Sequence, residues 1–181
     1  ENIGVFSSIG KNFTEKDKFS LGLRFDNYDK KMTRVKTSQL AAPSNITNSN
    51  DFSVLSPSTK WQHTFNEEIT GLARITYSEK PGGFSAYTDT MPTFTEEETL
   101  AYEISLLLNP SKSWGLNVTA YLNDIENYQF ELPDALDPTN YYVANADEVT
   151  AKGIEIEGYV KPSENFTFSV AYGLCDSQYE K

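Results

Sequence analysis

From Trp114 to Leu122 the chain reads Trp-Gly-Leu-Asn-Val-Thr-Ala-Tyr-Leu, apolar residues alternating with small or polar ones without a break. A strand turns successive side chains to opposite faces. One face of this segment therefore carries Trp114, Leu116, Val118, Ala120 and Leu122, and the other Gly115, Asn117, Thr119, Tyr121 and Asn123. The same beat returns along the whole sequence and leaves two architectures. A soluble sandwich buries the apolar face in a core. A membrane barrel shows that face to lipid and keeps the polar face in a wet lumen.

Seven further segments share the pattern. Residues 2–9 carry its weakest form, and Phe19, Leu21, Leu23 and Phe25 oppose Ser20, Gly22, Arg24 and Asp26. Trp61 and His63 fall in a third stretch, 54–65, and Ala73, Ile75 and Tyr77 in a fourth, 69–78. The clearest sets Leu100, Tyr102, Ile104, Leu106 and Leu108 against Ala101, Glu103, Ser105 and Leu107. Near the end, Ile154, Ile156, Gly158 and Val160 oppose Glu155, Glu157 and Tyr159. Phe166, Phe168, Val170, Tyr172 and Leu174 oppose Thr167, Ser169, Ala171, Gly173 and Cys175. No segment carries an apolar stripe at the helical period, so the expected fold is all-β with little helix.

The connections alternate in length. Short polar turns are expected at 66–68, 109–113 and 161–165, with long connections at 27–51, 79–97 and about 131–141 and an intermediate one at 10–18. Structureless loops longer than about 12–15 residues are uncommon in compact domains and tend to be functional or disordered. Falling on every second connection, they gather at one end of an up-and-down sheet, the plan of an outer-membrane barrel.

Composition narrows the function classes. A net charge of −11 argues against a nucleic-acid surface, which needs clustered Lys and Arg. One cysteine, Cys175, leaves no internal disulfide. No apolar run reaches the roughly 18 residues of a spanning helix, a test that does not bear on barrel strands. Glu1 is not an initiator methionine, and no turn or closing strand follows Asp176 to Lys181, so a piece of a longer polypeptide is expected.

Several stretches together resemble the barrel of TonB-dependent outer-membrane receptors. Leu21-Gly22-Leu23-Arg24-Phe25-Asp26 resembles the family's Gly-hydrophobic-Arg-aromatic-Asp strand, and Tyr77 to Phe84, Tyr-Ser-Glu-Lys-Pro-Gly-Gly-Phe, its strand exit. Glu97 through Tyr102-Glu103-Ile104, then Ala120 to Asp124 with Gln129, then Asn145-Ala146 with Gly153-Ile154-Glu155-Ile156-Glu157, resemble its next three strands in order. Ser105-Leu106-Leu107 departs from the family's more usual Gly, apolar residue and Lys. The resemblance implies a partial barrel domain over residues 1–181. It would be about eight antiparallel strands of a wall of roughly twenty-two, without plug domain, TonB-contact peptide or C-terminal aromatic. It implies a receptor in the outer membrane of a Gram-negative bacterium that imports a siderophore-iron complex or similar large nutrient. Its partners would be the TonB complex, acting through a plug encoded elsewhere, the nutrient ligand and outer-membrane lipid. No cofactor and no nucleic acid enter that expectation.

Catalytic chemistry finds little support. His63 is the only histidine; its parity groups it with Trp61 and Phe65, and without Cys or His companions it makes no usual zinc site. Glu155 and Glu157 share a face at a spacing of about 6–7 Å, which a glycosidase pair can use, but lumen walls carry such charges routinely. Glu96-Glu97-Glu98 lacks the alternating Asp/Asn pattern of a calcium loop. Lys80-Pro81-Gly82-Gly83 lacks the Gly-Lys-Ser/Thr and helix of a phosphate loop.

The remaining candidate surface is aromatic. Tyr77, Phe84, Tyr87, Phe94, Tyr141 and Tyr142 lie at the long-connection ends, where rigid amphipathic rings suit ligand contact or a membrane-interface girdle. Lys80, Phe84, Tyr87, Tyr141 and Tyr142 are the expected ligand-binding residues; catalytic and metal residues are expected to be none. Two other readings stand beside the receptor: a small closed eight-stranded barrel with an adhesive or structural role, and a soluble β-sandwich that binds carbohydrate.

Overall fold

The computed structural model describes residues 1–36, 44–85, 92–135, 138 and 140–180. Its strands are β1 (Asn2–Asn12), β2 (Asp17–Lys36), β3 (Ser44–Thr64), β4 (Ile69–Lys80), β5 (Gly83–Phe84), β6 (Thr93–Phe94), β7 (Glu97–Ser111), β8 (Trp114–Pro133), β9 (Tyr141–Ser163) and β10 (Phe166–Glu180). Eight of them form one antiparallel meander in the order β1-β2-β3-β4-β7-β8-β9-β10, while β5 and β6 pair with each other inside the β4–β7 connection. No helix occurs among the described residues. The expected all-β, up-and-down sheet is what forms. It is open, with β1 and β10 as edges, so the small closed barrel is not observed.

The pairing registers keep the sequence alternation in phase from strand to strand. Ala73, Ile104, Ala120, Ile154 and Leu174 stand directly opposite one another in a row across five strands. The next row along is Leu72, Ser105, Thr119, Glu155 and Gly173. A slip of one residue on any strand would mix the two sets, so the pattern specifies the register. Leu100, Tyr102, Leu116, Val118 and Ile156 fall on the face of Ile104, whereas Glu103, Asn117 and Glu157 fall on that of Glu155. On the apolar face the β10 rings of Phe166 and Phe168 stack 6.1 Å apart.

Burial is inverted relative to a water-soluble sheet. Ile104 is 69 % exposed and Phe168 58 %, yet Ser105 and Thr119 are buried and bond to each other at 2.9 Å. Among the described residues no second sheet covers the apolar face, which removes the sandwich reading. So wide an exposed apolar face is what a lipid-facing wall requires. At one end it stops at a row of glutamates, Glu79, Glu98, Glu126 and Glu148, directly opposed across four strands, with Glu180 next in register. Directly opposed like charges repel and are tolerable where water and salt screen them.

The strands outrun the apolar pattern. The expected long connection at 27–51 is mostly a paired arm, with ladder partners running from Asn27↔Ser53 to Lys36↔Ser44. The expected loop at 131–141 shrinks in the same way, since β8 reaches Pro133 and β9 begins at Tyr141. Backbone pairing needs no apolar face once both sides are wet, so polar strand extensions leave no alternation to read. The expected turns at 109–113 and 161–165 shorten to 112–113 and 164–165. Around Pro110, which has no N–H to give the ladder, the register shifts between Leu108 and Ser111.

Candidate functional site

The β4–β7 connection does not stand free. Residues 80–85 fold onto the polar face, where Gly82, Gly83, Phe84 and Ser85 are all buried, and they cover Phe52, itself buried on β3. From β2, Lys30 Nζ donates to the Gly82 carbonyl at 2.7 Å, its ammonium lying 5.3 Å from the Phe52 ring and 5.7 Å from that of Tyr28. Burial, and then the nearby Lys80 ammonium, hold the Lys30 pKa below the usual lysine range. On the other side, Val143 N of β9 donates to Ser85 Oγ at 3.0 Å. Ser85 N donates to the Pro92 carbonyl at 2.8 Å, which closes the segment on itself.

Two side-chain amides complete the attachment. Gln129 Nε2 on β8 donates to Thr95 O at 2.9 Å and to the Lys80 and Pro81 carbonyls, each at 3.3 Å. Asn145 on β9 meets Thr95 with both ends of its amide, Oδ1 accepting from Thr95 N at 2.8 Å and Nδ2 donating to Thr95 O at 3.1 Å. The same Nδ2 donates to Asn127 O at 2.7 Å. Asn127 has φ 52°, a left-handed conformation that Asn adopts more readily than most residues. Glu97 Oε2 accepts from Gln129 N at 2.7 Å and lies 3.6 Å from Lys80 Nζ.

The expected site residues divide. Lys80, directly opposite Glu97, has a side chain 59 % exposed at the polar-face rim. Phe84 shares that rim but is only 8 % exposed. Tyr141 has the strand parity of Val143 and Asn145 and so faces this assembly, whereas Tyr142, one residue on, faces the opposite side. Tyr87 lies outside the described residues. Tyr77 stands on the apolar face, opposite Leu100, with its hydroxyl 2.8 Å from Glu79 Oε1 and 2.7 Å from Glu98 Oε2. That is the place of a girdle tyrosine, its ring beside lipid and its hydroxyl toward water.

Sequence reasoning missed Lys30 and Ser85 altogether and carried Gln129 and Asn145 only as letters of a motif. Nothing local marks them, because the partners that join the β4–β7 connection to the wall lie 34 to 58 residues away. At the opposite end of the sheet, His63 keeps its aromatic neighbours, with Phe65 at 4.6 Å and Trp61 at 5.8 Å between ring centroids. It also has a polar partner that parity alone did not reveal, Asp17, directly opposite in register with Oδ1 2.7 Å from Nδ1. Trp61 Nε1 donates to that oxygen at 3.1 Å and Thr14 Oγ1 to the other at 2.7 Å. These hydrogen bonds, His63's foremost, lower the Asp17 pKa from its ordinary value.

Glu155 stands between Thr119 and Gly173, and Glu157 between Asn117 and Ala171, positions of a polar wall. No cluster of His, Cys, Asp and Glu able to hold a metal ion occurs among the described residues.

Solved structures of outer-membrane transporters share this fold. The chain superposes on the ferric yersiniabactin uptake receptor FyuA from Yersinia pestis with a TM-score of 0.75 at 14 % identity, covering 99 % of this chain and 27 % of that one. For the copper transporter OprC the TM-score is 0.74 at 13 % identity, with 98 % and 29 % covered. For the alcaligin outer-membrane receptor FauA from Bordetella pertussis it is 0.66 at 12 %, with 98 % and 30 % covered. The chain thus spans under a third of the length of each of these three. No curated protein sequence matches it. The family model for the TonB-dependent receptor-like β-barrel, whose members are outer-membrane transporters rather than enzymes, matches residues 1–180. The chain belongs to the TonB-dependent receptor β-barrel family.

Proposed function

We propose that this chain is wall and rim of an outer-membrane receptor that imports a siderophore-iron complex, or a nutrient of similar size, with energy from TonB. The observation that carries this reading is the pairing of an exposed apolar face with a polar face onto which the β4–β7 connection folds at one rim. The apolar face meets the lipid of a Gram-negative outer membrane. The polar face lines the lumen, which a plug encoded elsewhere fills and through which TonB acts. Lys80 and Tyr141, exposed at the rim, contact the ligand directly. Phe84 supports them from its buried niche; Tyr87, in the same connection, is proposed as a further ligand contact, and Tyr142, which looks to the other side of β9, as an aromatic at the outer edge of the rim. The structural neighbours carry ligands as different as ferric yersiniabactin and copper, so ligand chemistry belongs to the rim and not to the wall.

The test is transport by the whole receptor. Cells that depend on it are grown on a panel of iron chelates and on limiting copper, and the same strain is tested with residues 82–91 deleted. Growth on one member of the panel, lost on deletion while the protein still assembles in the outer membrane, supports the assignment. Unchanged uptake and affinity after deletion would reduce this connection to a cover and remove Lys80 and Phe84 from the site.

A further inference from the structure

We propose that residues 80–85 are a fixed brace across the polar face, and that Gln129 and Asn145 are the positioning residues that hold it, presenting Lys80 to the mouth from rigid backbone. The proposal rests on reading this rim as the ligand-binding end. Its structural content, a rigid brace, can be measured without any ligand.

The argument starts from the backbone. Residues 81–82 and 95–96 lie outside every strand ladder, Gly82 buried and Thr95 at the surface, so their backbone groups must turn to side chains or to water. Side chains from strands on both flanks meet several of these groups, and the carbonyl of Lys80 at the end of β4: Lys30 of β2 takes Gly82 O, Gln129 of β8 takes Lys80 O, Pro81 O and Thr95 O, and Asn145 of β9 takes both Thr95 N and Thr95 O. The connection is therefore tied to β2 on one side and to β8 and β9 on the other. Gln129 is the central tie. Its amide nitrogen has two hydrogens and three carbonyls converge on it, an arrangement suited to a donor and hostile to a negative group. Packing excludes slack as well: a Cβ added to Gly82 would lie 2.5 Å from Phe94 O and 2.7 Å from Phe52 Cε1. The consequence for binding is preorganisation, since a residue on fixed backbone loses less freedom when a ligand arrives.

Hydrogen exchange followed by mass spectrometry on the intact receptor in detergent tests this. In the wild type, amides of the 82–85 stretch should exchange at least about tenfold more slowly than free chain. Gln129→Glu, nearly isosteric, turns the donor against three carbonyls and should raise exchange of that stretch about tenfold or more while peptides of β7 keep their rates. Asn145→Ala should do the same more weakly, and serves alone should Gln129→Glu fail to assemble. Gln129→Asn, which keeps the donor on a shorter arm, should restore part of the protection. Free-chain rates in the wild type, or unchanged rates in both Gln129→Glu and Asn145→Ala, would overturn the proposal. A failed transport assay would strike the functional reading and leave these rates untouched.

Discussion

At the short-turn end of the sheet, Asn66 Oδ1 accepts from the amides of Glu68 and Ile69, two and three residues ahead. At the long-connection end, Gln129 Nε2 donates to carbonyls 34, 48 and 49 residues behind it. Both devices satisfy backbone groups that leave the ladder, one with local chain and the other with chain brought in by the fold. A two- to four-residue turn is short enough to supply its own partners. A longer connection either stays solvated or borrows side chains from the wall, and residues 80–85 borrow them. The first end should tolerate change piecemeal; the second should fail as a unit.

The sharpest way to break the comparison is to add volume at each end. Gly82→Val should overpack the brace against Phe94 O and Phe52 at a cost of about 1–3 kcal/mol, release it from the polar face and abolish uptake by the whole receptor. Gly10→Ala meets the movable side chains of Ser20 and Lys18, at 3.0 and 3.3 Å, and the Phe19 carbonyl at an ordinary 3.7 Å, and should change stability by less than about 0.5 kcal/mol. Urea unfolding from lipid vesicles, run beside an uptake assay, separates the two. Equal effects would show that the ends are not held differently.

A smaller loss is expected from Asn66→Ala, which leaves the Glu68 amide to water and the Ile69 amide only its 3.4 Å bond to the carbonyl of residue 66, at a cost of about 1 kcal/mol. It should shift the urea midpoint and leave uptake unchanged. A loss of uptake would mean that the short end communicates with the rim.

Asp17 predicts a pH signature confined to the short end. Its carboxyl is held below the ordinary value of 3.8 by the hydrogen bonds from His63, Thr14 and Trp61. A depressed folded pKa contributes stability that is complete above the unfolded value and is lost as pH falls through the folded one. Acid unfolding of Asp17→Asn should therefore lack part of the wild-type dependence below about pH 4, with no change above it. Identical acid limbs in the two proteins would remove Asp17 from the account.

The smallest effect belongs to the glutamate row at the far border of the apolar face. Glu98 faces Glu79 on one side and Glu126 on the other. Glu98→Gln should raise the unfolding temperature slightly in low salt, and the gain should vanish as salt screens the row. A gain that persists at high salt would point to packing and not to charge.

How much was legible follows from the range of each interaction. Ala73, Ile104, Ala120, Ile154 and Leu174 came into one row because each strand carries its own period, and register must align the periods to keep one face apolar. The arm formed by β2 and β3 beyond Asn27 was read as loop because neither of its faces is apolar, although its ladder is complete. Asp17 was passed over for the same reason as Gln129. Each acts through a partner 34 or more residues distant, and no periodicity of a single strand reports on such a partner.

Sequence alone therefore determined the strand class, the alternation of shorter and longer connections though not their lengths, the apolar and polar faces and the family resemblance, since all of these rest on residues within a few positions of one another. Tertiary structure decided that residues 80–85 lie against the wall, that Phe84 is buried and Lys80 exposed, and that Tyr141 and Tyr142 look to opposite sides. The first two outcomes depend on where Lys30, Gln129 and Asn145 arrive after the sheet has formed, and the third on β9 reaching back to Tyr141. Their hydrogen bonds to the β4–β7 connection close loops of 34 residues or more, and that closure becomes favourable only once the strand ladders have already set the ends in place.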